Sequence, residues 1–191
     1  MMSEPARPTP LQRQLRKRNP FSSPAQEAHL NLARTHEFLA GHFARFFKHH
    51  SLSATQYNIL RILRGQGGEG VPCQEIGDQM VTLVPDVTRL VDRLVEAGLV
   101  ERRRTPRDRR IVLVALTAAG QQLLDELERP VLDLHERTLG HLSATELAVL
   151  SQLLAKARQP WEECAAGTDE TIRNGDEGAA GTDHAPREGG A

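Results

Sequence analysis

The sequence is short of cysteine, of aromatic residues and of long apolar runs, and each shortage excludes something. Its two cysteines, Cys73 and Cys164, lie far apart, so no disulfide framework is implied and a reducing, cytoplasmic setting is expected. No apolar stretch approaches the roughly 20 residues that span a bilayer, and the amino terminus lacks the apolar segment of a signal peptide, so no membrane partner is expected. A Gly-rich phosphate loop, a nucleophile motif and an evident carboxylate pair are also missing, which argues against an enzyme. His29, His36, His42, His49, His50, His135 and His141 are numerous, but none has the His-Glu-x-x-His pairing of a zinc motif. Neither a metal nor another cofactor is implied.

Excess charge of either sign is missing overall, the formal net charge being -1, yet this balance conceals three different segments. Residues 1–20 carry Arg7, Arg13, Arg16, Lys17 and Arg18 against Glu4 alone, with several prolines, and read as a basic, flexible arm. Residues 162–191 are acidic and rich in Gly and Ala, and they repeat Ala165–Asp169 as Ala179–Asp183; they read as a disordered acidic tail. Residues 21–161 are left to fold.

Within that core, Ser23 and Gln26 form a capping box that starts a long helix, in which Ala28, Leu32, Thr35, Leu39, Phe43 and Phe46 share one stripe. Leu30, Phe38 and Phe47 fall outside the stripe. A helix that is apolar on more than one face needs more than one neighbour, which suggests a second subunit. A second box, Ser53 and Gln56, starts a helix with Tyr57, Leu60 and Leu63 inward and Gly65 as a left-handed cap. A short helix over Cys73–Met80 follows. After a break, Val87, Leu90, Val91 and Leu94 mark one face of another helix, closed by Gly98. Two β-prone runs, Leu99–Arg103 and Ile111–Leu116, surround Thr105-Pro106-Arg107-Asp108 and make a hairpin. Thr117 caps a helix that Pro130 is expected to kink or restart, and a third box, Ser143 and Glu146, starts a last helix that Pro160 is expected to stop.

Short helices followed by an Arg-rich hairpin is the order of a helix-turn-helix with a wing. With Val87, Leu90, Val91 and Leu94 facing inward, a step of about 100° per residue turns Pro85, Arg89, Asp92, Arg93 and Glu96 outward, with Asp86 and Thr88 at the flanks. Early residues of a recognition helix lie nearest the base edges, so Pro85, Asp86, Thr88 and Arg89 are the expected readers, with Arg93 placed for phosphate. The hairpin gathers Arg102, Arg103, Arg104, Arg107, Arg109 and Arg110 around a tight turn. Such a density of guanidinium suits phosphates and a narrow minor groove, although a charge run also serves as a solvated face. Asp108, two residues before Arg110, can orient that guanidinium across the turn.

Residues 76–120 resemble the DNA-binding region of the MarR family of bacterial transcriptional regulators. The resemblance is carried by Val87-Thr88-Arg89-Leu90-Val91-Asp92-Arg93-Leu94, Gly98-Leu99-Val100, Asp108-Arg109-Arg110, and Leu116-Thr117 with Gly120. Leu52, Gln56-Tyr57 and Ile59-Leu60 are consistent with it. The resemblance implies a mainly α fold: a winged helix-turn-helix lobe over residues 51–117, with a β-hairpin wing, flanked by long dimerisation helices over 21–50 and 118–161. It implies a homodimer on a pseudo-palindromic double-stranded DNA operator, most often as a repressor. In the wing it implies a structural pair, Asp108 and Arg110, beside an Arg, either Arg107 or Arg109, that enters the minor groove. The chain departs from the commoner pattern at Leu83-Val84-Pro85, which replace a small polar cap.

Members often bind a small aromatic or lipophilic effector between the dimerisation helices and the DNA-binding lobe. Phe38, His42, Phe46 and Tyr57 are candidates to line such a pocket, although aromatics at helical spacing also serve as plain core. Cys73, near a helix start, is a candidate redox switch, the alternative being a small packing residue. A dimeric adaptor of the same fold that does not read DNA is the competing function; Arg89 and the wing argue against it.

Overall fold

The computed structural model describes residues 7–68, 70–104 and 111–176, with side chains through residue 160. The chain divides into two compact units, Met1–Thr138 and Leu139–Ala191.

In the first unit, helix α1 (Pro10–Gln14) lies where a flexible arm was expected. Thr9 and Gln12 close a full capping box around Pro10, and Leu11 is buried. The basic composition masked these local signals. Helix α2 (Pro24–His49) starts where Ser23 accepts from the Gln26 amide, but the Gln26 side chain takes the N–H of Ser22 rather than that of Ser23. Helix α3 (Ala54–Gly65) has the complete box, with Gln56 N–H donating to Ser53 Oγ at 3.1 Å and Ser53 N–H to Gln56 Oε1 at 2.9 Å. Gly65 stays helical, contrary to its expected left-handed cap. Gln66 caps the helix in its place, and the positive φ falls at Gly67 and Gly68.

The helix expected over Cys73–Met80 is α4 (Cys73–Asp78), with Ile76 fully buried and Met80 packed just beyond its end. Helix α5 (Val87–Glu96) buries Val91 and Leu94 completely, with Val87 and Leu90 packed partly against the same core. Each fully buried side chain of this size contributes about 1.5–3 kcal/mol. Gly98, at φ +70°, reverses the chain without the steric cost another residue would meet.

The hairpin comprises β2 (Val100–Arg104) and β3 (Val112–Leu116), antiparallel from Val100 opposite Leu116 to Arg104 opposite Val112. A third strand, β1 (Val71–Pro72), pairs with the other edge of β3, giving the order β1-β3-β2. Two residues are too short to show an alternation, which is why periodicity missed it. Helix α6 (Ala118–Leu139) runs without interruption through Pro130, which was expected to kink or restart it. The ring removes one rung of the hydrogen-bond ladder, while Leu124, Leu127, Val131 and Leu134 are buried on both sides of it and hold the helix in register. Phe47, Leu60, Ile76, Leu94, Val114 and Leu127, from α2 to α6, belong to one hydrophobic core.

The second unit holds helix α7 (Ala144–Asp176). It continues past Pro160, where a stop was expected, so the segment from residue 162, expected to be disordered, is helical as far as Asp176. Proline costs a helix one donor and a clash but does not by itself end it. Residues 177–191 of the expected tail and 1–6 of the expected arm lie outside the described residues. Among the described residues no helix is long and apolar enough to cross a membrane.

Candidate nucleic-acid interface

The departure at Leu83-Val84-Pro85 resolves into a helix cap one residue later. Asp86 has non-helical dihedrals, and its Oδ1 accepts from the backbone N–H of Arg89 at 2.9 Å, satisfying one of the free amides at the start of α5. Asp86, named from sequence as a reader, is therefore also the residue that fixes where the helix begins. The loop leading to it is tethered at several points. The Gln66 and Gln79 side chains are joined at 3.0 Å, Met80 is buried, and Val81 N–H donates to Asn58 Oδ1 of α3 at 2.9 Å.

From this start α5 presents the expected outward face. Pro85, Asp86, Thr88, Arg89 and Arg93 are all exposed, while Val91 and Leu94 face the core. The Thr88 hydroxyl lies 3.8 Å from the Cys73 thiol, so the cysteine packs, half-buried, against the flank of this helix. Asp92 is only half-exposed because it turns toward the sheet, where Arg102 of β2 donates to it at 2.6 Å. That pair ties the helix to the wing strand and was not anticipated, although an outward acid followed by an Arg-rich strand was a legible signal. Arg103 is paired with Glu101 on its own strand. Among the described residues no carboxylate partner is found for Arg89, Arg93 or Arg104, which leaves three cations open to an anionic surface.

Arg107, Asp108, Arg109 and Arg110 lie outside the described residues, and with them the expected wing pair. Thr117 Oγ1 donates to the Gly98 carbonyl at 2.7 Å and accepts from Gly120 N–H at 3.0 Å, so one hydroxyl joins the end of the α5 turn to the start of α6.

The four candidate effector residues do not share one cavity. Phe38, His42 and Phe46 line a groove of about 480 Å³ between α2 and α6, with Arg45 and Arg137 at its sides. Tyr57 instead stacks on Phe47 at 4.6 Å between centroids. It lines a separate cleft of about 280 Å³ with Phe43, Asn58, Val81 and His135. Phe46 and Tyr57 both contact the buried Phe47, which lines the Tyr57 cleft and not the groove beside Phe38. Among the described residues no group of three or more His, Cys, Asp or Glu side chains is placed to hold a metal ion.

Comparison with known proteins agrees with this geometry. The profile of the MarR family matches residues 52–112. The multiple antibiotic resistance protein MarR of Salmonella typhimurium is 35% identical over 106 residues, which span 55% of this chain and 72% of that protein. A crystal structure of a MarR transcription factor from Planctomyces limnophilus aligns at 48% identity with a TM-score of 0.56, covering 71% of this chain and 98% of that one. A mutant MarR from E. coli, crystallised with operator DNA, aligns at 27% identity with a TM-score of 0.62 over 71% of this chain and 99% of its own. With its helix-turn-helix, its wing strands and these relatives, the chain belongs to the MarR family of transcriptional regulators.

Proposed function

We infer that the protein is a ligand-responsive repressor that binds a pseudo-palindromic DNA operator as a homodimer. The observation that carries this reading is the exposed Arg89 and Arg93 face of α5, without a carboxylate partner among the described residues, on a helix fixed at its start by Asp86 and along its length by the Asp92–Arg102 pair. A rigid helix with exposed arginines and its amino-terminal turn open is what major-groove recognition requires. Thr88 and Arg89 read base edges in this scheme, Arg93 and Arg104 meet phosphate, and Arg107 or Arg109 reaches the minor groove while Asp108 orients Arg110.

A second copy is called for by the apolar side chains left in solvent. Leu32 and Phe38 of α2 and Leu132 of α6 are about half exposed or more, as are Val149 and Leu153 of α7. The effector's seat in this scheme is the cleft beside Tyr57 rather than the groove beside Phe38. Val81 lines that cleft and, through Asn58, is held at the head of the loop that leads into α5. Its size suits a single aromatic ring better than a long lipid chain. Occupation of the cleft would bear directly on where α5 starts.

The experiment is a titration of the purified full chain against duplex DNA at several salt concentrations, followed by Arg89→Ala. Binding that weakens steeply with salt, with both affinity and sequence preference lost in the variant, is expected. A folded dimer with no salt-sensitive binding to any duplex would instead make the protein an adaptor.

A further inference from the structure

Val81 and Leu83 are the two most exposed large apolar residues described, at 89% and 95%, and both stand in the few residues before α5. Their exposure is not that of a loose loop. Val81 is tied by its N–H to Asn58, Val84 packs against the core, and Asp86 is locked as the helix cap, so Leu83 is held outward between fixed points. Two residues, Val84 and Pro85, separate it from Asp86, a reach of at most about 11 Å over three steps. It therefore stands close to the amino-terminal end of α5, the end that carries the exposed Thr88 and Arg89.

We propose that Leu83 is a specificity-determining residue that contacts the 5-methyl group of a thymine in the major groove. The proposal rests on the DNA-binding reading above. The thymine methyl is the one apolar feature that a base pair displays in the major groove, and an apolar side chain distinguishes it from cytosine without any hydrogen bond. Leu83 meets that chemistry, whereas the polar and cationic groups around it address phosphates and hydrogen-bonding edges. Val81 stands two residues further from Asp86 and also lines the cleft of Tyr57 and Asn58, so Leu83 is the nearer of the two exposed apolar side chains to the start of α5.

The test uses a duplex enriched from random sequence by the full chain itself, in which each thymine is replaced in turn by uracil. That change removes one methyl and leaves every hydrogen-bonding group in place. At one position in each half-site, wild type should lose about fourfold in affinity, the equivalent of one buried methyl. Leu83→Ala should be indifferent to the same replacement, and Leu83→Met should keep the sensitivity. Because the side chain is in solvent, Leu83→Ala should unfold at the wild-type temperature, which separates the effect from misfolding. Equal responses of wild type and Leu83→Ala at every thymine would overturn the proposal alone; this is also the result if Leu83 meets a protein partner or a second copy. Failure to enrich any duplex would overturn the DNA-binding reading together with it.

Discussion

Asp92 of α5 accepts a hydrogen bond from Arg102 of β2 at 2.6 Å, joining the recognition helix to the first strand of the wing. Both side chains are more than a third exposed, so solvent screens the pair and its share of stability is small. A double-mutant cycle with Asp92→Ala and Arg102→Ala should give a coupling of about 0.2–1 kcal/mol that shrinks as salt is raised. Its larger effect should be on orientation. Asp92→Ala should weaken operator binding even though it removes a negative charge from a DNA-facing helix. An increase in affinity, measured by fluorescence anisotropy, would show that the pair does not position the wing.

Substitution can separate the capping role of Asp86 from the base-reading role expected of it from sequence. As the cap of α5 it accepts from Arg89 N–H, and Asp86→Ala should lower stability by about 1 kcal/mol. Asp86→Asn keeps an acceptor oxygen at the same place and should unfold close to the wild-type temperature. If the carboxylate serves only as cap, Asp86→Asn also binds the operator as well as wild type does. A change in base preference at one operator position, with stability preserved, would instead mark Asp86 as a reader.

The parts of the molecule legible in the sequence are those where one local signal is decisive. Ser53 with Gln56 closed both halves of its box, Gly98 took the left-handed turn, and Val91 and Leu94 were buried as their spacing required. Features that depend on partners distant in sequence were not legible. Strand β1 exists because Val71 finds Val114, and Arg102 is held because Asp92 reaches it from another element. The effector candidates were grouped from sequence, and the packing of α2 against α3 and α6 places Tyr57 in a different cleft from Phe38, His42 and Phe46. Composition misled at both ends, since charge and proline content concealed the Thr9–Gln12 box and the passage of α7 through Pro160.

Gly120 is required by space. A Cβ built there would lie 2.1 Å from the Leu99 carbonyl oxygen, which belongs to backbone and cannot swing aside. Leu99 O also accepts from Thr117 N–H, so retreat of that carbonyl would disturb the junction of wing and α6. Gly120→Ala would gain about 1 kcal/mol from helix propensity at an open site. Here the overlap should dominate and leave the variant less stable by about 1–3 kcal/mol. Denaturant unfolding measures the difference, and a variant more stable than wild type would show that the approach is not as close as described.

The pH dependence of α7 should follow Glu146. Its carboxylate accepts from the backbone N–H and the hydroxyl of Ser143, at 2.8 and 2.7 Å. These bonds hold its pKa below the ordinary carboxylate value, the backbone bond foremost, with nearby His141 adding to the effect when charged. Because the folded value is depressed, the stabilisation is complete at pH above the ordinary value and is lost as pH falls through the folded one. The group is exposed, so the consequence is local fraying of the first turn of α7 in acid rather than global unfolding. An NMR titration of the Glu146 side chain should show a midpoint below that of an unconstrained glutamate, returning toward the ordinary value in Ser143→Ala, where the hydroxyl donor is gone and the capping box is broken. An unchanged midpoint in that variant would mean that the hydroxyl contributes nothing and that the backbone bond alone holds the charge.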